Sequence, residues 1–430
     1  MRVNGFKTSV STRLRLVTLV FIEYAVWGAY LISVGRFLAQ NGLGSQIKWF
    51  FAANGIVSLF MPALMGMVAD RYIQAQRLLS LCHLLAGGFM LAAGLYCMNA
   101  ESVMFGTLYP LYFMSILFFM PTVALTNSVS YSIIGRDGGD PVKEYPPIRL
   151  FGTVGFIVSM LTVNFVTVNG VSMQDSYTQL ILSGILSLIL CIYALTLPSC
   201  PTQGSRGRTL TEAFGIRAFG LFRQRRMAIF FGFCILMGTA LQITNGYANT
   251  FLGSFASDPA LSNAFAVKNS NALLSLSQVS ETLCFLLVPF CMKRFGIKKV
   301  MIMSMAAWVL RFGLFAMGTP DMPGVLLLIL SCILYGIAFD FYNIAGSLFV
   351  EQNVEPGIRA SAQGLFMMMS NGVGATLGMM GAGKVMDRFV FRSDVPDWSS
   401  AWYVFAVYMA VVLVLFIFFF KEKDSLYSRV

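Results

Sequence analysis

The stretch Tyr335-Gly336-Ile337-Ala338-Phe339-Asp340-Phe341-Tyr342-Asn343 lies inside an apolar run that extends from about residue 325 to residue 350. A run of this length can cross a bilayer as one helix. Asp340 lies well inside the run, where a carboxylate costs roughly a few kcal/mol or more. Such an acid is rarely kept without a partner or a task. The stretch therefore predicts a membrane-spanning helix that carries a functional acid.

The composition of the whole chain is that of a polytopic helical membrane protein. Of its 430 residues, 57% are hydrophobic and only 11% are charged, and the mean hydropathy is +0.73. A soluble protein of this length needs far more charge to cover its surface. We predict twelve spans, with approximate limits 15–38, 48–69, 78–98, 103–133, 148–168, 176–197, 227–253, 270–292, 298–317, 324–350, 359–387 and 400–420.

The net charge of +11 is topogenic and does not indicate nucleic-acid binding. If the N-terminus is cytoplasmic, 22 of the 30 Lys and Arg residues fall in cytoplasmic segments and six in outer segments. This distribution follows the positive-inside rule. It predicts that both termini are cytoplasmic, whereas the inner membrane of a bacterium is implied by the family resemblance given below.

The twelve spans divide into two halves of six. The longest cytoplasmic connection, residues 198–226, is polar and basic and separates an N-terminal half (1–197) from a C-terminal half (227–430). This plan resembles that of the major facilitator transporters, whose substrate site lies between the halves near the midplane. The fold class expected is therefore all-α, with twelve transmembrane helices.

A short loop motif supports this plan. Gly66-Met67-Val68-Ala69-Asp70-Arg71 resembles the loop between spans two and three of that superfamily, although its internal glycine is missing. A degenerate basic copy, residues 293–299, stands at the equivalent place in the second half. A plain basic loop is the alternative, but related loops at equivalent places in both halves favour the motif. Asp70 and Arg71 are then expected to form a conformational latch between helix ends and not to touch substrate.

Among the charged residues of the predicted spans, five are singled out as possible functional groups: Glu23, Arg149, Glu281, Arg311 and Asp340. Asp340 and Glu281 could each carry a proton, the alternative being a structural ion pair with Arg311 or Arg149. Arg311 fits a structural role better than ligand binding. The role of Glu23 stays open between lining a cavity, accepting a proton and pairing within the N-terminal half. His83, the only histidine, is expected to be a satisfied core residue.

Four predicted spans each present polar groups with an aromatic ring nearby. Helical spacing places each set on one face, and such a lining would suit a small neutral solute with a ring and hydroxyl groups. Hydrogen bonding between helices is the alternative. The sets are Arg149, Thr153 and Phe156; Gln242, Asn245 and Asn249; Gln278 and Glu281; and Tyr335, Phe339 and Asp340.

Several stretches also resemble the nucleoside:proton symporters of the major facilitator superfamily, from the first span to the twelfth. They are Phe60-Met61-Pro62-Ala63-Leu64-Met65-Gly66, Pro146-Pro147-Ile148-Arg149-Leu150-Phe151-Gly152-Thr153-Val154-Gly155-Phe156, Leu241-Gln242-Ile243-Thr244-Asn245, Ser277-Gln278-Val279-Ser280-Glu281-Thr282, Tyr335-Gly336-Ile337-Ala338-Phe339-Asp340-Phe341 and Arg359-Ala360-Ser361-Ala362-Gln363-Gly364.

The resemblance implies a role for each set of residues. The N-terminal half is expected to line the nucleoside site with Arg149, Thr153 and Phe156. The C-terminal half is expected to bind ribose and base through Gln242, Asn245, Gln278 and Glu281, with Tyr335, Phe339 and Asp340 as aromatic and acidic groups. The acid is linked to proton coupling, which Glu281 could share. Nothing in the resemblance assigns Glu23.

The sequence thus predicts proton-coupled nucleoside import by alternating access. The partners are purine and pyrimidine nucleosides, protons and the lipid bilayer, with no nucleic acid, and the protein is expected to be a monomer. No catalytic triad, metal-ligand spacing or dinucleotide fingerprint stands in the sequence, so we expect no enzyme activity, cofactor or metal. The alternatives are a transporter of the same fold for another polar solute such as a sugar and, with less support, a non-transporting receptor or scaffold.

Overall fold

The computed structural model describes residues 8–202, 204, 215–355 and 358–420. Their α-helices are α1 (Val10–Gly28), α2 (Val34–Gln40), α3 (Ile47–Ser58), α4 (Met61–Arg71), α5 (Ala75–Asn99), α6 (Phe105–Arg136), α7 (Pro141–Phe165), α8 (Thr178–Leu195), α9 (Arg225–Ser254), α10 (Phe265–Lys268), α11 (Ser270–Met317), α12 (Gly324–Asn353), α13 (Arg359–Met367), α14 (Ala375–Met386) and α15 (Trp398–Phe419).

Shorter elements complete the described chain. Two π-helical stretches, Met368–Gly374 and Asp387–Phe391, follow α13 and α14. The strands β1 (Thr167–Val168) and β2 (Val171–Ser172) form an antiparallel hairpin. The 3-10 helices are Gly44–Gln46, Met173–Asp175, Ile216–Arg223 and Phe255–Ser257.

The described residues contain nine helical stretches that are long and apolar enough to cross a bilayer. Three helical regions account for the difference between these nine stretches and the twelve predicted spans. Stretch α11 has 48 residues, a length of about 72 Å that exceeds two hydrocarbon thicknesses. Helix α1 is long enough but carries Arg13, Arg15 and Glu23. The segment from α13 to α14 is long enough only when its π-helical turn is counted.

A single glycine separates the two spans within α11. Gly296 has φ 79° and ψ 170°, a backbone conformation that is not helical. Only glycine adopts this conformation without a steric cost. The predicted basic connection at 293–299 is therefore a sharp break between two helices, because the turns on both sides of Gly296 keep their hydrogen bonds.

Contacts between residues divide the described chain into two compact units. The first unit contains residues 8–34 and 57–202, and the second contains residues 35–56, 215–355 and 358–420. In the first unit α5 packs on α6 and α8, and α1 packs on α7. In the second unit α11 packs on α12 and α15, and α9 packs on α14 and the adjoining π-helical turn. The predicted boundaries at 197 and 227 stay a prediction, and part of the predicted loop between them, residues 203 and 205–214, lies outside the described residues.

Strand β1 occupies the last two residues of the predicted span 148–168, because the helix α7 ends earlier, at Phe165, and β2 follows in the connection to the next span. The two turn residues of the hairpin are Asn169, with φ 53°, and Gly170, with φ 81°. Asn-Gly is the preferred pair for a two-residue turn in which both residues have positive φ. The hairpin closes the connection between α7 and α8.

Candidate functional site

The first-unit candidates, Arg149, Thr153 and Phe156, lie on the face of α7 that packs against α1. A Cβ at Gly155 would collide with the backbone of Phe21, and a Cβ at Gly28 would lie 2.5 Å from the carbonyl oxygen of Phe156. The missing side chains therefore let the two helices approach closely. This close approach sets which α1 side chains stand beside Arg149 and Phe156.

Aromatic residues of α1 support two of these candidates. The Arg149 guanidinium carbon lies 3.9 Å from the centroid of the Tyr24 ring, a cation–π contact. The rings of Trp27 and Phe156 meet edge to face at 6.5 Å. Arg149 and Thr153 are half-buried and Phe156 is buried. The group therefore presents a cation, a hydroxyl and a ring on one face.

Glu23 does not join that group. It is completely buried and bonds to His83, which is also completely buried. Of the three roles that the sequence left open for Glu23, pairing within the first unit is the one that the geometry displays. His83 is a satisfied core residue, as predicted, but its partner is a carboxylate.

In the second unit, α11 and α12 carry five of the candidates and pack tightly. A Cβ at Gly336 of α12 would collide with the backbone oxygen of Ser280 of α11. The Ser280 hydroxyl also donates to the carbonyl oxygen of Ile333 and accepts from the Gly336 amide. Glu281 and Tyr335 are the immediate neighbours of Ser280 and Gly336 in the sequence, and Gln278 and Asp340 lie within about one helical turn of them. The contact therefore brings these four candidates to the same region of the two helices.

Tyr335 is the centre of this second group. Its ring stacks on that of Phe339, with centroids 5.7 Å apart and planes 5° apart. Its hydroxyl hydrogen-bonds to Gln278, and it interacts electrostatically with Glu281 and Asp340. The predicted faces of α11 and α12 are therefore adjacent within one unit.

Asp340 carries an oxygen without a partner. The residue is only 6% exposed, and its Oδ2 is buried with no hydrogen bond among the described residues. The charge of Glu281 acts on it. A carboxylate in these surroundings is costly when ionised, and a proton removes most of that cost. The arrangement suits reversible protonation.

Arg311 contacts neutral groups. Its guanidinium donates to the carbonyl oxygen of Ser331 and lies 3.5 Å from the Ser277 hydroxyl. It also lies 4.9 Å from the centroid of the Tyr335 ring. These contacts agree with the structural role expected for Arg311, and they place a positive charge beneath Tyr335.

On α9, Gln242 and Asn245 are half-buried, and Gln242 Oε1 is buried with no hydrogen bond among the described residues. Asn249 differs, because its amide donates to Asn271 at 2.6 Å and its oxygen accepts from Ser270 at 2.8 Å. The alternative of interhelical hydrogen bonding therefore describes Asn249. Gln242 keeps an acceptor that a ligand could use.

Sequence reasoning missed a recess in the second unit beside Phe339. Its polar lining is Asn343, Ser370 and Asn371, and the last two belong to the π-helical turn Met368–Gly374. Ser370 is buried, and its side chain interacts with the Cys234 thiol. Extra residues in a helical turn are frequent at functional sites. The glycines at 372 and 374 were the feature of the sequence that could have indicated this irregular turn.

The predicted latch lies at a helix end. Asp70 and Arg71 are the last two residues of α4, and both are half-buried. Their location agrees with the predicted loop. The latch role itself stays a prediction.

Comparison with known proteins gives consistent matches over nearly the whole chain. The family model described as "Nucleoside H+ symporter" matches residues 10–425. Xanthosine permease of Escherichia coli K12 is 44% identical over 97% of this chain and 97% of its own length. Nucleoside permease NupG of the same organism is 41% identical over 96% of this chain and 97% of its own.

The crystal structure of the nucleoside transporter NupG aligns with a TM-score of 0.87 at 40% identity, over 96% of this chain and all of that one. The protein therefore adopts the all-α fold of the major facilitator transporters, and the predicted fold class is confirmed. The predicted family and the general function of nucleoside transport with protons are confirmed by the same matches.

Proposed function

Because this chain belongs to the nucleoside H+ symporter family, we propose that it imports purine and pyrimidine nucleosides across a bacterial inner membrane, driven by protons that enter with them. It works by alternating access as a monomer in the bilayer, with both termini cytoplasmic. It needs no cofactor, binds no nucleic acid and catalyses no reaction.

The observation that carries the proposal is the group around Tyr335. The Tyr335 and Phe339 rings stack, Gln278 hydrogen-bonds to the Tyr335 hydroxyl, and two carboxylates act on the same residue. A nucleoside offers a flat base and a ribose with hydroxyl groups. Rings pack well against the base, while amides and carboxylates pair with the hydroxyls.

The substrate contacts of the proposal are those predicted from the sequence. In the second unit they are Gln242, Asn245, Gln278, Glu281, Tyr335, Phe339 and Asp340. The unpartnered Gln242 Oε1 supports this assignment, because a buried acceptor without a donor loses free energy that a ligand can restore. In the first unit they are Arg149, Thr153 and Phe156. The Arg149 guanidinium offers donors to base or ribose oxygens, and Phe156 offers a ring.

Asp340 carries the coupling proton in this proposal, and Glu281 is the second acid that shares it. Ionised, Asp340 leaves a buried oxygen uncompensated. A proton from the outer side neutralises it and favours the substrate-loaded state, which then opens inward. Release of the proton on the inner side restores the charge, and the empty carrier returns.

The test is uptake into proteoliposomes that contain the purified full-length chain. Labelled uridine, adenosine and xanthosine are supplied with and without an inward proton gradient. We expect accumulation of nucleoside only with the gradient, and its collapse when a protonophore is added.

Competition with an unlabelled sugar serves as the control for the alternative substrate class. Unlabelled nucleosides should abolish uptake of labelled uridine, whereas xylose in the same excess should leave it unchanged. Uptake that ignores the proton gradient, or that xylose inhibits as well as nucleosides do, would contradict the proposal.

A further inference from the structure

The candidate for a further function is a buried acid–histidine pair in the first unit. Glu23 of α1 and His83 of α5 are both 0% exposed, and the carboxylate Oε2 lies 2.9 Å from His83 Nε2. Thr126 of α6 donates to Oε2 at 3.1 Å, and the Thr122 hydroxyl of α6 lies 2.6 Å from Oε1 and 2.6 Å from the carbonyl oxygen of Phe119. Ser187 of α8 lies 3.0 Å from His83 Nδ1. The pair therefore joins four helices.

The hydrogen bonds require a proton between Glu23 and His83. A neutral imidazole carries one N–H and an imidazolium carries two. If Nε2 had no proton, its lone pair would face a carboxylate oxygen unless Glu23 itself were protonated. Thr126 donates to the same Oε2 and so disfavours a proton on that oxygen. The bond of 2.9 Å is therefore an Nε2–H that donates to the carboxylate.

Ser187 gives Nδ1 a partner in either protonation state. Its hydroxyl lies 3.0 Å from Nδ1 and also 3.0 Å from the carbonyl oxygen of His83. When Nδ1 is bare, the Ser187 hydroxyl can donate to it. When Nδ1 carries a proton, Ser187 can accept that proton's hydrogen bond and donate to the carbonyl oxygen. The hydroxyl only has to rotate.

We propose that Glu23 and His83 form a proton-binding site of the first unit, in which His83 Nδ1 takes up one proton while Nε2–H stays bonded to Glu23. The bare pair has a net charge of −1 and the loaded pair is neutral. Since a net charge inside a membrane protein is costly, proton uptake stabilises the buried pair. Histidine is also the side chain that changes charge between about pH 5 and pH 8.

Other titratable groups lie near the pair. The charge of Glu23 acts on Cys82 of α5 and Tyr145 of α7, and Tyr145 also interacts with Tyr24 and Arg149. On α6 and α8 the pair faces hydroxyl groups, which do not change charge in this range. The pair lies one residue from Tyr24, which supports Arg149.

The inference goes beyond the proposed function, whose proton acceptors are Asp340 and Glu281 of the second unit. It rests on the proposed function only for the use of the proton in transport. The binding of the proton is measured without transport, so the two can fail separately.

The single histidine makes the test selective. The full-length chain, purified without a histidine tag, is labelled with ¹⁵N at its imidazole and placed in lipid nanodiscs. Its ring nitrogen signals are then followed by NMR between about pH 5 and pH 8. We expect two protonated nitrogens at low pH, and at high pH a loss of the proton at Nδ1 with Nε2 still protonated. Two unchanged nitrogens across the range would show a fixed structural bond and overturn the proposal.

Two variants and a control test the partners. In Glu23→Gln the imidazolium signal should change, because the carboxylate that accepts the hydrogen bond from Nε2 is gone. Ser187→Ala should change the Nδ1 signal and leave Nε2 bonded. Glu144→Gln removes another buried carboxylate of the first unit, which bonds to Thr8, and should leave both signals unchanged. An unchanged imidazolium signal in Glu23→Gln would contradict the proposed partner.

Discussion

The guanidinium of Arg149 lies over the ring of Tyr24, with its carbon 3.9 Å from the ring centroid. The two residues are 125 positions apart and come together because α1 and α7 approach closely at Gly155. A half-buried arginine on a long stem is otherwise free to adopt many rotamers. The ring restricts it to one direction and leaves its remaining donors for a ligand.

Removing that ring should weaken nucleoside binding. A cation–π contact at a partly buried site contributes about 1 kcal/mol, which corresponds to about fivefold in affinity. We therefore expect Tyr24→Leu to raise the KM for uridine uptake by about this factor. Tyr24→Phe keeps the ring and serves as the control, with a KM close to that of the parent. Equal KM values for the two variants would argue against the contact.

Replacement of Asp340 should abolish the accumulation of nucleoside without abolishing its movement across the membrane. In Asp340→Asn the side chain keeps its size but no longer accepts a proton. We expect proton-driven accumulation of uridine to be lost, while exchange of internal for external uridine persists because it needs no net proton movement. Both are measured in the same proteoliposomes.

The Glu281→Gln variant tests which of the two acids, Asp340 or Glu281, carries the coupling proton. If Asp340 alone carries it, Glu281→Gln should alter KM and keep accumulation. If the two acids share it, both variants should lose accumulation and the double variant should behave like either one. Normal accumulation by Asp340→Asn would show that the coupling proton is carried elsewhere.

The lengths of the apolar runs were sufficient to predict the twelve spans, and helical spacing was sufficient to predict which side chains share a face. Tyr335 and Phe339, four residues apart, stack as that spacing implies. These features depend on residues that are close in sequence. They can be read from the chain because helix geometry alone relates the residues.

Contacts between distant helices could not be predicted in this way. Glu23 and His83 are 60 residues apart, and nothing in either local sequence indicates the other. The Ser187 hydroxyl that completes their hydrogen bonds comes from a third helix. The hairpin at Asn169 and Gly170 is a different omission, because the Asn-Gly signal was present in the sequence.

The close approach of α11 and α12 should make Gly336 sensitive to substitution. A methyl group there would collide with the Ser280 backbone, and forcing extra volume into a packed contact costs about 1–3 kcal/mol. We expect Gly336→Ala to lower the Tm of the purified protein and to impair uptake.

Gly313→Ala is the matched control for Gly336→Ala. It lies on α11, where a Cβ would meet no heavy atom within 4 Å. Since alanine favours a helix by roughly 0.5–1 kcal/mol over glycine, this variant should keep or raise the Tm. A similar fall in Tm for both variants would mean that the contact with Ser280 is not the cause.

An ion pair within the second unit should contribute measurably to stability. Lys48 Nζ of α3 lies 2.5 Å from Asp387 Oδ2, and both side chains are largely buried, at 14% and 13% exposure. The Lys48 stem packs over Gly383, which directs the ammonium toward Asp387. A hydrogen bond between charged groups that are largely shielded from water contributes about 1.5–3 kcal/mol. Lys48→Met and Asp387→Asn should each lower the Tm.

A double-mutant cycle distinguishes the pair from the separate residues. The Lys48→Met/Asp387→Asn double variant should be less destabilised than the sum of the single variants. Each single variant leaves one buried charge without its partner, whereas the double variant removes both charges. The exposed pair of Lys143 and Asp140, with atoms 3.7 Å apart and side chains 82% and 49% exposed, is the control. Its cycle should show little coupling, since solvent screens exposed charges. Additive effects at Lys48 and Asp387 would show that their contact does not stabilise the second unit.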